Sequence, residues 1–176
     1  MRDESLNQGK GCIANLGDLT DLAARVGNTL QTRGLMLATA ESCTGGWISQ
    51  QVTSIAGSSE WLERGFVTYS DLAKQEMLGV RAETLARHGA VSEQTVREMA
   101  LGALAHSRAQ VSVAVSGIAG PGGGTADKPV GTVWLAWAAG LAMVRTRLAR
   151  LEGDRESVRR QTVEAALRGL LDFLGP

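Results

Sequence analysis

The sequence predicts an α/β fold, a three-layer α/β/α sandwich around a mixed, mostly parallel sheet of about five strands. Apolar runs of strand length stand near 35–40, 65–70, 110–118, 131–139 and 143–151. The first three are separated by stretches with apolar residues at helical spacing, as when crossover helices join parallel strands, while the last two are separated by little more than Gly140, as in a hairpin. At 176 residues the chain is long enough for one substantial core, and no repeat or linker divides it. The expected organisation is a flexible, Gly-punctuated extension over 1–17 and a single domain over 18–176.

Each element has its own signal. Leu19, Leu22, Ala23, Val26 and Leu30 recur at i, i+3, i+4, i+7 and make an amphipathic helix that ends before Gly34. The run 35–40 is a buried strand, and Trp47, Ile48, Val52 and Ile55 continue at helical spacing. Gly57-Ser58-Ser59 opens a short segment before the strand 65–70, and a helix over 71–78 is stopped by Gly79. A short helix covers 81–87, and Ser92 caps a longer one with Val96, Met99, Ala100, Ala103 and Leu104 inward. Val111, Val113 and Val115 favour a strand, Ala119 to Thr125 is a loop, and Gly140 turns the closing hairpin. Asp154 caps the last helix, on which Glu164 precedes Arg168 by four residues as a supporting ion pair.

Composition excludes several functions. Lys plus Arg and Asp plus Glu both count 18, so there is no basic field for nucleic acid. No apolar run approaches the roughly 20 residues of a membrane span, and the first residues lack the apolar core of a signal peptide, so a cytoplasmic protein is expected. Cys12 and Cys43 do not suggest a disulfide framework, and the solitary His88 and His106 do not suggest a metal site.

Side chains with chemical potential fall at strand ends, where ligands of α/β sheets collect. Ser42, Thr44, Gly45 and Gly46 occupy a strand-to-helix turn whose amides and helix dipole suit an anion such as phosphate; equally, the hydroxyls are ordinary N-caps. Lys74 lies about one turn into its helix, where the dipole and burial in a cleft would favour the neutral amine of a general base; on a solvated face it would be an ordinary lysine. A serine beside such a lysine is activated without histidine. Ser58 and Ser59 read as helix caps or as reacting hydroxyls, and Tyr69 orients a proton or covers the sheet edge. The glycines from Gly120 to Gly124 lack the spacing of a Walker or dinucleotide loop and form a lid or a wall of close approach. Arg155 is a bidentate phosphate partner or a surface arginine.

Taken together, Ala40-Glu41-Ser42-Cys43-Thr44-Gly45-Gly46, Gly57-Ser58-Ser59, Gly65-Phe66-Val67-Thr68-Tyr69-Ser70 with Ala73-Lys74, Gly89-Ala90-Val91-Ser92, Ser116 to Pro121 and Lys128 to Trp134 resemble the CinA C-terminal-domain family. The likeness runs in order from about Asp18 to the end and extends to the family's stand-alone nicotinamide mononucleotide deamidases. It implies hydrolysis of the carboxamide of nicotinamide mononucleotide to nicotinic acid mononucleotide and ammonia, in pyridine nucleotide recycling, with no metal or other cofactor. It implies a small-molecule substrate and suggests a homodimer; composition gives no nucleic acid or membrane partner, and the apolar Trp134 and Trp137 are expected at a sheet face or an interface. By the same resemblance Lys74 matches the base and Tyr69 a supporting residue, while Ser42 and Ser59 both match active-site positions. Thr44, Gly45, Gly46, Ser58, Ser116, Gly120 and Arg155 are the expected substrate contacts. Because the Ser42 turn suits the substrate phosphate, Ser59 is the preferred attacking hydroxyl; if Ser42 attacks, the helix N-terminus becomes the oxyanion site. A nucleotide-phosphate binding module without catalysis, or an amidase on another pyridine or nucleotide amide, are the rival readings.

Overall fold

Five strands form one sheet in the order β2-β1-β3-β4-β5, with β1 Leu37–Glu41, β2 Leu62–Val67, β3 Val111–Gly117, β4 Thr132–Ala139 and β5 Met143–Arg150. The computed structural model describes residues 16–140 and 142–175. β1 pairs in parallel with β2 and β3, whereas β3–β4 and β4–β5 are antiparallel. The sheet is therefore mixed, and not mostly parallel as expected. Parallel neighbours need long crossovers, and after β3 the chain returns through a loop and a tight turn that permit only antiparallel pairing.

Six helices are present among the described residues: α1 Leu16–Thr32, α2 Trp47–Thr53, α3 Asp71–Leu78, α4 Ala82–His88, α5 Glu93–Ala105 and α6 Arg155–Leu174. The expected extension over 1–17 lies outside the described residues except for Leu16 and Gly17, which already belong to α1. Ser92 and Asp154 cap their helices as read from sequence, and Ser70 caps α3. Ser70 Oγ accepts from Ala73 N at the start of α3, Ser92 Oγ from Thr95 N at α5, and the Asp154 carboxylate from Ser157 N at α6. Gly79 ends α3 in the left-handed region at φ 66°. β2 begins and ends three residues earlier than expected, and Thr68 to Ser70 form the connection into α3.

Alternation along the strands divides the core. Val111, Val113 and Val115 of β3 join a cluster with Leu19, Leu22, Val26 and Leu30 of α1, Ile48 and Val52 of α2, and Val158, Leu167 and Leu170 of α6. Ala114, with Ala38 and Ala40 of β1, joins a second cluster with Leu78 of α3, Leu85 of α4 and Val96, Met99 and Ala103 of α5. Full burial of one such aliphatic side chain stabilises by about 1.5–3 kcal/mol. Trp137 belongs to the first cluster, where its Nε1 donates to Ala166 O of α6 at 2.9 Å; within this chain it is core, and Trp134 is half-buried beside the second cluster.

Candidate active site

The C-terminal ends of β1, β2 and β3 converge on one cleft. Ser42 follows β1 directly and its amide still donates to Val115 O, at 3.1 Å, so the sheet fixes its backbone. The residue is 8% exposed. Lys74, one turn into α3 and 1% exposed, reaches back so that Nζ lies 3.2 Å from Ser42 Oγ. The same nitrogen donates to Thr68 O at 2.9 Å and approaches Tyr69 O at 3.5 Å. Burial holds the Lys74 amine below the ordinary lysine range, with Asp71 and Cys43 acting in the opposite direction. A neutral amine has two hydrogens and one lone pair; with two carbonyls taking the hydrogens, the lone pair is left for the Ser42 hydroxyl.

The cleft, about 200 Å³, is lined by Ser42, Cys43, Tyr69, Lys74, Ser116 and Arg155 together with Ala90, Val91, Gly117 and Ala119. Burial, reinforced by the Glu41 charge, pushes the Cys43 thiol up to about 11, so the cysteine beside Ser42 stays protonated. Tyr69 stands at the rim, and its hydroxyl accepts from Arg155 Nη2 at 2.9 Å. Arg155 Nη1 donates to Gly120 O at 2.7 Å, so one guanidinium joins the start of α6 to the loops after β2 and β3. Arg155 also lines a wider opening of about 540 Å³ with Gly45, Gly46, Trp47, Gln50, Glu156 and Arg159.

Several expected residues are placed differently. Ser58 and Ser59 form a single 3-10 turn, Ser58–Glu60, just before β2. Lys74 contacts the residues just after β2, and a six-residue strand spans about 20 Å, so Ser59 lies at the opposite end of the sheet and does not meet Lys74. The expected pairing of Ser59 with Lys74 is therefore not found; the serine that Lys74 meets is Ser42, and neither Ser58 nor Ser59 lines the cleft. Thr44 is also turned away from any ligand: it is fully buried, and its Oγ1 donates to Glu41 Oε2 at 2.7 Å. Gly45 and Gly46, at φ 62° and 94°, do face the wider opening.

Sequence reasoning passed over two residues. Glu41 is fully buried, and its carboxylate accepts from Thr44 Oγ1, Ile48 N, Ser49 N and Ser49 Oγ at 2.7–2.9 Å. It thus occupies the first amides of α2, whose N-cap Gly46 has no side chain to do so. The expected free helix N-terminus is not available to an anion. Strand alternation would have pointed Glu41 at α2, since it shares a face with Leu37. Arg159, one turn after Arg155 on α6, donates to Cys43 O at 3.2 Å and Thr44 O at 2.8 Å, with its guanidinium 5.3 Å from the Trp47 ring centroid. The i, i+4 spacing was the available signal.

Nearly the whole chain is similar to known proteins. The chain is 56% identical over 153 residues to nicotinamide-nucleotide amidohydrolase PncC of Escherichia coli K12, covering 87% of this chain and 93% of that protein. It is 52% identical over 155 residues to the protein of the same name from Pseudomonas putida, covering 88% and 96%. The crystal structure of the competence/damage inducible protein CihA from Agrobacterium tumefaciens superposes with a TM-score of 0.87 at 48% identity, covering 97% of this chain and 99% of that one. A model of the CinA C-terminal domain matches residues 19–174, nearly everything from α1 to the end of α6. With the family model covering residues 19–174 and the similarity running over nearly the whole length, the chain belongs to the CinA C-terminal domain family.

Proposed function

We propose that this protein is a nicotinamide-nucleotide amidohydrolase that converts nicotinamide mononucleotide to nicotinic acid mononucleotide and ammonia. The observation that carries the chemistry is the 3.2 Å approach of the buried Lys74 amine to Ser42 Oγ. Neutral Lys74 takes the Ser42 proton as Oγ bonds to the carboxamide carbon. The tetrahedral centre collapses with cleavage of the C–N bond, and Lys74 returns its proton to the departing nitrogen, which leaves as ammonia. Water then attacks the ester, giving one proton to Lys74; the ester C–O bond breaks, Ser42 recovers its proton, and the product acid leaves. The pyridinium charge of the substrate makes the carboxamide carbon more electrophilic throughout.

The wider opening takes the ribose phosphate. Arg155 spans both spaces, and the Gly45-Gly46 turn permits close approach of a ligand to the backbone. Tyr69, held by Arg155, closes the rim. The two core clusters support an α/β/α layering of a single domain over 18–176. The same reading takes the enzyme as a cytoplasmic homodimer, and the exposed Val67, Leu72 and Met77 beside the β2 edge are apolar enough to join a second copy. Light scattering of the purified protein tests that state.

The decisive assay is ammonia release from nicotinamide mononucleotide by wild type, Ser42→Ala, Lys74→Ala and Ser59→Ala, with folding checked by circular dichroism. Turnover by wild type and Ser59→Ala, and loss of about 10²-fold or more in the other two, is expected. Saturable nucleotide binding without ammonia release by wild type would select the non-catalytic binding module, and turnover only on another amide would select a different substrate.

A further inference from the structure

Ser42 sits in a row of three hydroxyls. Glu41 pairs with Val67 of β2 and with Val115 of β3, so the next positions along the three strands are Thr68, Ser42 and Ser116. The hydrogen bonds Thr68 N to Glu41 O and Ser42 N to Val115 O carry the ladder on to these residues. Parallel strands in register put such side chains on one face. That face carries Ala40, Phe66 and Ala114, on the side of α3 and Lys74. Ser116 Oγ and Thr68 Oγ1 both lack a hydrogen-bond partner, but of the two only Ser116, 1% exposed, lines the cleft. A buried hydroxyl left unpaired costs about 1–3 kcal/mol, so its presence beside a reacting serine calls for a partner that arrives with the substrate.

The placement of Lys74 says which substrate atom that is. Nζ is held by Thr68 O and Tyr69 O, on the β2 side of Ser42. The carboxamide nitrogen must face Lys74 to receive its proton as it leaves, so the carboxamide oxygen points to the β3 side, where Ser116 stands. Four amides at and after the Ser42 turn are already engaged: Ile48 N and Ser49 N with the Glu41 carboxylate, Gly45 N with Ser42 O and Trp47 N with Thr44 O. We propose that the Ser116 hydroxyl is an oxyanion donor of this active site, donating its hydrogen to the carboxamide oxygen as negative charge develops there. This rests on the amidohydrolase reading and adds a catalytic residue to it.

The test is steady-state ammonia release from nicotinamide mononucleotide by wild type, Ser116→Ala and Ser116→Thr, with thermal unfolding of each. Loss of one preorganised oxyanion donor is expected to lower kcat of Ser116→Ala by about 10²–10³-fold with KM within threefold. Removal of an unpaired buried hydroxyl is expected to raise its Tm by roughly 2–4 °C. Ser116→Thr, which keeps the hydroxyl, is expected to recover most of the lost rate. Folded Ser116→Ala turning over within threefold of an active wild type, or a loss confined to KM, would overturn the assignment alone. An inactive wild type would overturn the amidohydrolase reading together with it.

Discussion

Lys74 concentrates the chemistry of the site in one amine. Because burial lowers its pKa, the folded protein binds fewer protons than the unfolded chain between the depressed value and the ordinary lysine value. Stability therefore rises with pH across that window, and this increment is lost as pH falls towards the folded-state value. Urea midpoints measured from neutral to alkaline pH should accordingly rise more steeply for wild type than for Lys74→Met, which has no amine. The same titration should give kcat/KM an acid limb, since only the neutral amine accepts the Ser42 proton. At this scale the sequence was half legible. Lys74 and Ser42 could be singled out from a helix start and a strand end, but the choice between Ser42 and Ser59 needed the lysine's reach, and reach is a distance in space.

At the scale of elements, the site depends on how α2 and α3 are held. The Glu41 carboxylate ties α2 to the end of β1 through the amides of Ile48 and Ser49 and the Ser49 hydroxyl, and holds the turn between them through Thr44 Oγ1. Glu41→Gln replaces one acceptor oxygen with a donor that faces other donors. The expected cost is about 2–3 kcal/mol in urea denaturation, with a fall in kcat as the Ser42 turn shifts. Helix α3 is brought in by Gly102 of α5, where an added Cβ would collide with the Leu78 carbonyl. Gly102→Ala should improve helix propensity by about 1 kcal/mol yet destabilise the protein by about 1–3 kcal/mol through overpacking. It should also lower kcat, because α3 carries Lys74. Thermal unfolding beside ammonia release measures both effects. Strand alternation discloses the face that Glu41 takes but not its partners, and the close approach at Gly102 depends on how α3 packs on α5, which spacing within one helix does not encode.

Across the whole molecule, Arg155 joins segments far apart in the chain, reaching Tyr69 at a separation of 86 residues and Gly120 at 35. Arg155→Lys keeps the charge and loses the planar fork that serves both partners. Its KM should rise about tenfold with a smaller change in kcat, a loss of about 1.4 kcal/mol in binding. Product nicotinic acid mononucleotide at 100 times its Kd should stabilise the wild type by about 2.7 kcal/mol, and at the same concentration should stabilise this variant less. Thermal shift with and without product checks this.

Local rules carried the sequence a long way. Helical spacing placed α1, α5 and α6, the caps Ser92 and Asp154 placed helix starts, and Gly140 placed the hairpin, because each depends on residues a few positions apart. Tertiary structure alone decided which strands pair and in which direction, which serine meets Lys74, and that Thr44 and the α2 amides belong to Glu41. Those outcomes depend on contacts between distant segments, and on the demand that every buried polar group find a partner, which periodicity in one stretch of chain does not encode.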